Sequence, residues 1–246
     1  MIFAVNYSRP AAQLLNSGKI HFERFKCPAW PDQVKEAQAL LPVYVHFPLK
    51  IGWGQGVALD NETKRPVDWK KIDDFMIQTD TPMVNLHFAP FQEGDYALPT
   101  GLSESQTLEL VAERAIRDVQ AVVQRYGPDR VILENESPSL QDHPLRAVYL
   151  PEIIRQVVEA ADCGFLFDLS HARLSARTLG IDAQEYIRAL PVERIREIHL
   201  TGIQTFEDTW MERLRQDPDS LGWIPRLAGR RMDHLPLTEE DWQAAE

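Results

Sequence analysis

Five apolar runs of this chain each close on a side chain able to bind a metal: VYVH at His46, MVNLH at His87, VILE at Glu134, FLFD at Asp168 and EIH at His199. A single histidine at a strand end is ordinarily a packed or hydrogen-bonded residue. Glu134 alone could pair with an arginine, and Asp168 alone could cap a turn. Five such ends in succession are harder to dismiss, because buried ionisable groups are costly unless something pairs or coordinates them. A cation is the economical partner. His171 follows three residues after Asp168 in FDLSHA, and Asp233-His234 in GRRMDHLPLTEEDW offers two more donors. Adjacent residues of an extended chain point apart, so one of that pair is expected to face the others.

Imidazoles mixed with carboxylates, without a thiolate, suit iron, manganese or zinc rather than the all-oxygen shells of calcium and magnesium. His46, His87, Glu134, Asp168, His171, His199, Asp233 and His234 together exceed what one ion ordinarily takes from protein, so two or more divalent ions are expected. Glu134 and His171 are the residues expected to take part in catalysis. Glu136 shares the face of Glu134 if the strand continues, which makes it a candidate either to support the metal ligands or to contact substrate, whereas Asn135 faces away. Arg173 and Arg177 lie four apart just beyond His171. Solvation is their ordinary role, and recognition of a substrate's negative charge at Arg173 is the alternative. Glu23, in FERFKC, is expected inside a strand, paired to a basic residue.

Seven strands supply these ends: 3–8, 21–27, 43–47, 83–88, 130–136, 164–170 and 196–202. Helical periodicity separates several of them, most clearly in SQTLELVAERAIRDVQAVVQRYG, where Leu108, Val111, Ala115, Val119, Val122 and Tyr126 recur at spacings of three and four. A second helix runs through LPEIIRQVVEAAD with Gly164 as its terminator, and shorter ones fit PDQVKEAQALL and AQEYIRAL. Loops are expected over 52–66 and 205–231. Strands alternating with helices predict a (β/α) TIM barrel, whose functional groups gather at the C-terminal ends of its parallel strands. A doubly wound sheet is the competitor, but no GxGxxG or Walker-type glycine loop follows a strand.

The 246 residues contain no repeat or linker-like shift in composition, so residues 1–246 read as a single domain. A net charge of −11 disfavours nucleic acid as a partner. No segment reaches the roughly 18 to 20 apolar residues that cross a bilayer. MIFAVNYSRP lacks a signal-peptide pattern, and Cys27 and Cys163 have no metal-type or disulfide spacing. Cytoplasmic residence, with both thiols reduced and no membrane partner, is the expectation.

The order His46 (VHFP), His87 (NLHF), Glu134 (ILENE), Asp168 and His171 (FDLSHA), then His199 (IHLTG), resembles the xylose isomerase-like TIM-barrel superfamily over about residues 40 to 242. That superfamily includes endonuclease IV, sugar isomerases and epimerases, and multinuclear non-haem iron-dependent oxidative enzymes. The early histidines, together with LENES, FDLSHARLS and HLPLTEEDW, resemble the oxidative group most closely. The resemblance implies an enzyme with a centre of iron, or else zinc or manganese, that modifies a peptide substrate with the help of a partner protein. The alternative is a metal-dependent isomerase of a sugar or sugar phosphate; a non-catalytic metal- or ligand-binding barrel and a phosphodiesterase follow. These families carry a glutamate on an eighth strand. None is recognisable before Glu246, so the barrel is expected to be incomplete at its C-terminal end.

Overall fold

The computed structural model describes residues 2–51, 59–60, 67–90, 96–138, 145–216, 221–222 and 224–246. In chain order its elements are β1 (Ala4–Asn6), α1 (Arg9–Asn16), β2 (Arg24–Pro28), α2 (Pro31–Gln38), β3 (Val43–His46), β4 (Leu49–Ile51) and β5 (Leu59–Asp60). There follow α3 (Trp69–Thr79), β6 (Val84–Phe88), α4 (Glu104–Tyr126), β7 (Val131–Glu134), α5 (Pro151–Ala161), β8 (Gly164–Asp168) and α6 (Leu169–Leu179). The last elements are α7 (Ala183–Ala189), β9 (Ile195–His199), β10 (Gly202–Thr205), α8 (Asp208–Gln216), α9 (Ile224–Leu227), β11 (Arg231–Leu235) and α10 (Glu239–Ala245).

The expected seven-strand succession is present, all parallel, as β1-β2-β3 and β4-β6-β7-β8-β9, with β5 an antiparallel addition at the edge of the second sheet. β3 and β4 are two halves of one strand interrupted at Phe47-Pro48: the first half pairs with β2, the second with β6. Pro48 has no N–H to give a ladder. Asn85 fills the gap with its side chain, accepting from the Phe47 N–H at 2.7 Å and donating to the Phe47 carbonyl at 2.9 Å. Among the described residues β9 and β1 do not pair with one another.

Helix α4 forms where its apolar stripe requires it, with Val111, Ala112, Ala115, Val119 and Val122 buried and a capping box between Ser103 and Gln106 at its start. Its stop is Gly127, at φ 89°. The end of α5 differs from expectation: Asp162, in the left-handed conformation at φ 51°, is the cap, and Gly164 instead opens β8. A Cβ at Gly164 would lie 2.8 Å from Arg196 Cγ, so this position serves the close approach of β8 to β9. All five residues of β8 are buried, as expected of a strand covered on both faces. Phe25, Phe47, Leu49, Leu86, Leu133 and Phe165 are among the large side chains that close the core, each worth about 1.5–3 kcal/mol on burial.

Three sequence expectations change. The strand read to residue 170 stops at Asp168, because that side chain accepts from the His171 N–H at 2.9 Å and caps α6. Glu23 precedes β2 and is exposed, accepting from the Phe3 N–H, and Lys26 is the charged residue that turns inward. The stretch 205–231 is no plain loop: it carries α8 and α9 and is closed by the antiparallel ribbon β10-β11. Of the loop expected over 52–66, residues 52–58 and 61–66 lie outside the described residues, and Leu59–Asp60 is strand. No helix among the described residues is long and apolar enough to cross a membrane.

Candidate metal centre

Parallel pairing fixes which donors become neighbours. His87 on β6 is opposite Glu134 on β7, and Asp168 on β8 is opposite His199 on β9, while His46 ends β3. Glu134, 1% exposed, stands at the middle. Its Oε2 lies 3.2 Å from His87 Nδ1 and 3.5 Å from His46 Nε2, and its Oε1 lies 3.4 Å from His199 Nδ1. Asp168 Oδ2 is 3.8 Å from the same His199 nitrogen and 4.0 Å from His171 Nε2. His171 rises from the first turn of α6 with Nδ1 2.6 Å from the Asn135 carbonyl, so that nitrogen carries the hydrogen and Nε2 faces Asp233 Oδ2 at 2.7 Å. Asn135 does face away from Glu134, and its amide is used there: it donates to the Asp168 carbonyl at 3.0 Å and accepts from the Asp168 N–H at 2.9 Å.

Both Asp233 and His234 join the centre. His234 has φ 56°, which breaks the alternation of an extended strand, so the expectation that one of the two would point away is corrected. Asp233 is buried and His234 exposed, and both line the cavity. Glu136 Oε1 lies 3.0 Å from His87 Nδ1. Arg173 lies apart from this cluster: its guanidinium is held 2.5 Å from Asp241 and 2.5 Å from Glu240 of α10, and the structure gives it a bracing role in place of the expected contact with substrate. Arg177 is exposed.

Sequence reasoning missed two groups. Lys26 of β2 reaches across to place Nζ 2.9 Å from His199 Nε2. Glu197, two residues before His199 and on its face of β9, has Oε1 2.7 Å from His199 Nε2 and 2.8 Å from the Tyr44 hydroxyl. The alternation in IREIH was the available signal, since it puts Glu197 inward with His199.

Burial acts strongly here and charge acts against it. Desolvation, reinforced by Lys26, holds His46 well below the ordinary imidazole range and therefore neutral. Desolvation would raise Glu134, yet His87, His199 and His46 outweigh it and hold the carboxyl well below its ordinary range. His171 goes the other way: against desolvation, the charges of Asp168, Asp233 and Glu136 raise it well above the ordinary value. Desolvation lowers the Lys26 ammonium, opposed by Glu134, Glu197 and Asp168.

The donor set fits a metal. Glu134 Oε2, Asp168 Oδ2 and His87 Nδ1 are buried without a hydrogen-bond partner among the described residues, although each lies within 4 Å of another donor of the set. Lone pairs left converging in this way are costly, and a cation satisfies several at once. Four groups each have ligand atoms within 4.8 Å of one another: His46-His87-Glu134, Glu134-Asp168-His199 and His46-Glu197-His199, which overlap, and His171-Asp233-His234, which shares no residue with them. Glu134 belongs to two of them. A cavity of about 490 Å³ opens over the set and is also lined by Tyr7, Lys26, Lys50 and Ser137.

Parallel α/β sheets with histidines and carboxylates gathered at the C-terminal strand ends define the class of α/β domain that can hold metal at that face. A xylose isomerase domain-containing protein of Salmonella typhimurium LT2 has the same fold, with a TM-score of 0.51 at 17% identity over 97% of this chain and 79% of that one. The chain belongs to the family described as RiPP precursor modification enzyme MbnB/TglH/ChrH, whose model matches residues 19–218. It is 29% identical over 172 residues to a UPF0276 protein of Acaryochloris marina and 30% identical over 174 residues to one of Pseudomonas aeruginosa PAO1. Those alignments take in 70% and 69% of this chain but 59% and 56% of the two relatives, so the chain spans somewhat over half their length.

Proposed function

We propose that the chain is an iron-dependent oxidative enzyme that modifies a ribosomally made precursor peptide at a multinuclear centre held by His46, His87, Glu134, Asp168, His171, His199, Asp233 and His234. The observation that carries this reading is the position of Glu134, whose two oxygens face different donor groups, His46 and His87 on one side and His199 on the other. A carboxylate so placed would be able to serve more than one ion. Zinc or manganese in the same positions is the variant of the reading that metal analysis decides. Family membership supports the peptide substrate.

Iron bound here supplies a redox-active Lewis acid beside the substrate. The chain supplies the rest. Neutral His46 is ready to ligate without first losing a proton, and Glu134 and Asp168 bring the negative charge that offsets the ions. The Asn135 carbonyl holds the His171 ring through Nδ1, which would leave Nε2, beside Asp233, as the nitrogen that ligates. Glu136 and Ser137 line the cavity next to the donors, where a substrate side chain would enter, and Lys50 and Tyr7 also line it. A partner protein that presents the peptide completes the reading.

The test is anaerobic reconstitution with ferrous iron, metal analysis, and mass measurement of a precursor peptide after exposure to oxygen. About two or more irons per chain are expected, reduced by H87A and by D168A, with a mass change in the peptide that both variants abolish. A single manganese or magnesium ion accompanied by sugar isomerisation would overturn the reading in favour of an isomerase, and failure to retain any metal would overturn both.

A further inference from the structure

His199 offers its two nitrogens to two different groups of donors. Nδ1 faces Glu134 Oε1 at 3.4 Å and Asp168 Oδ2 at 3.8 Å, whereas Nε2 faces Glu197 Oε1 at 2.7 Å. A neutral imidazole has one hydrogen, so one nitrogen donates and the other is left to ligate. The buried Asp168 Oδ2 on the Nδ1 side has no hydrogen-bond partner among the described residues. Glu197, on the Nε2 side, already accepts from the Tyr44 hydroxyl at 2.8 Å, and a metal there would have to displace that bond and the His199 contact together. We propose that Glu197 fixes His199 as the Nε2–H tautomer, so that Nδ1 is its metal-binding nitrogen, a role that rests on the metal reading above.

Glu197 is thus a positioning residue. It acts through His199 and lies on the side of the ring away from Asp168. The pattern of β9 makes this work, because Glu197 and His199 are two apart on the inward face and the carboxylate reaches the far edge of the ring without a turn of the chain. Tyr44 on β3 holds that carboxylate from across the sheet interior, which limits the rotamers it can adopt. Lys26 is the competitor. Its Nζ stands 2.9 Å from Nε2 and 3.4 Å from Nδ1, and an ammonium there would donate to Nε2 and reverse the assignment. The shorter, doubly anchored Glu197 contact favours Nε2–H.

Imidazole nitrogen resonances of 15N-labelled, metal-free protein, recorded at a pH where the ring is neutral, read the tautomer directly. Expected is a protonated Nε2 and an unprotonated Nδ1 on His199, with the preference lost in E197A and kept in E197Q, whose amide oxygen still accepts. Cobalt(II), followed by its visible bands, should bind about 10–100-fold more weakly in one of its sites in E197A, with most of the loss restored in E197Q. A wild-type resonance showing Nδ1–H, or E197A binding cobalt as tightly as the wild type, overturns the proposal. Because the tautomer is read without metal, it decides the assignment even if E197A does not fold. If wild-type protein takes up no metal, the metal reading falls, while the same resonance still decides whether Glu197 sets the tautomer.

Discussion

Asp233 Oδ2 lies 2.7 Å from His171 Nε2, which ties the antiparallel ribbon to the first turn of α6. The two residues are far apart in sequence and come from elements that share no backbone ladder. Asp233 is 4% exposed, so the pair is made inside the protein.

Replacing Asp233 by asparagine should therefore disturb both metal and ribbon. About one metal equivalent should be lost from reconstituted protein, and the amides of β11 should exchange faster in deuterium exchange. Unchanged metal content together with unchanged exchange would show that the contact holds neither.

Asn135 should prove structural as well as local to the centre. Its amide satisfies both backbone groups of Asp168, and N135L would leave that buried N–H and C=O unpaired. A loss of about 2–4 kcal/mol in urea unfolding of metal-free protein is expected. A loss below about 0.5 kcal/mol would mean that the backbone finds other partners.

Arg173 and Asp241 form the brace that seats α10. Asp241 is 2% exposed and accepts from Arg173, from the Thr238 hydroxyl and from the Ile203 N–H. R173M should cost about 1.5–3 kcal/mol, because Asp241 loses its cationic partner but keeps its bonds from Thr238 and Ile203. Burial alone would raise the Asp241 carboxyl, but the hydrogen bonds from Thr238, Arg173 and Ile203 hold it below the ordinary value of 3.8. A depressed folded-state value means that this stability is present above 3.8 and is lost as pH falls further through the lowered value. Acid unfolding of the wild type should show that loss, and D241N should lack it.

Chelation should lower the melting temperature of protein purified with metal, since Glu134 and Asp168 are then left as buried carboxylates without a cation. Readdition of ferrous iron at about 100 times its dissociation constant should restore about 2.7 kcal/mol. A melting curve indifferent to chelator would argue that the histidines alone neutralise the cluster.

The strand-end donors were legible because β3, β7, β8 and β9 each stop on one, where an apolar run meets the cavity. His171 was legible for the same reason, three residues into the helix that Asp168 caps. Lys26 and Glu197 were not, because a charged residue alternating with others along a short strand looks like a solvated face until the opposite strands are known. His234 was half legible: its type was readable, but its φ of 56° depends on the turn out of the ribbon. Arg173 was misplaced because the partner that claims it, Asp241, is 68 residues away. The split of one strand into β3 and β4 could be suspected at Pro48, yet the Asn85 side chain that bridges it is a tertiary fact.

That split divides responsibility for the metals. His46 stands on the three-stranded sheet, His87, Glu134, Asp168 and His199 on strands of the six-stranded sheet, and Asp233 and His234 on the ribbon. An ion shared among them would work as a rivet through three plates, across a seam that the backbone ladder leaves to the Asn85 side chain at Phe47. Loading the centre should therefore stiffen the molecule as a whole, at distances no ligand reaches.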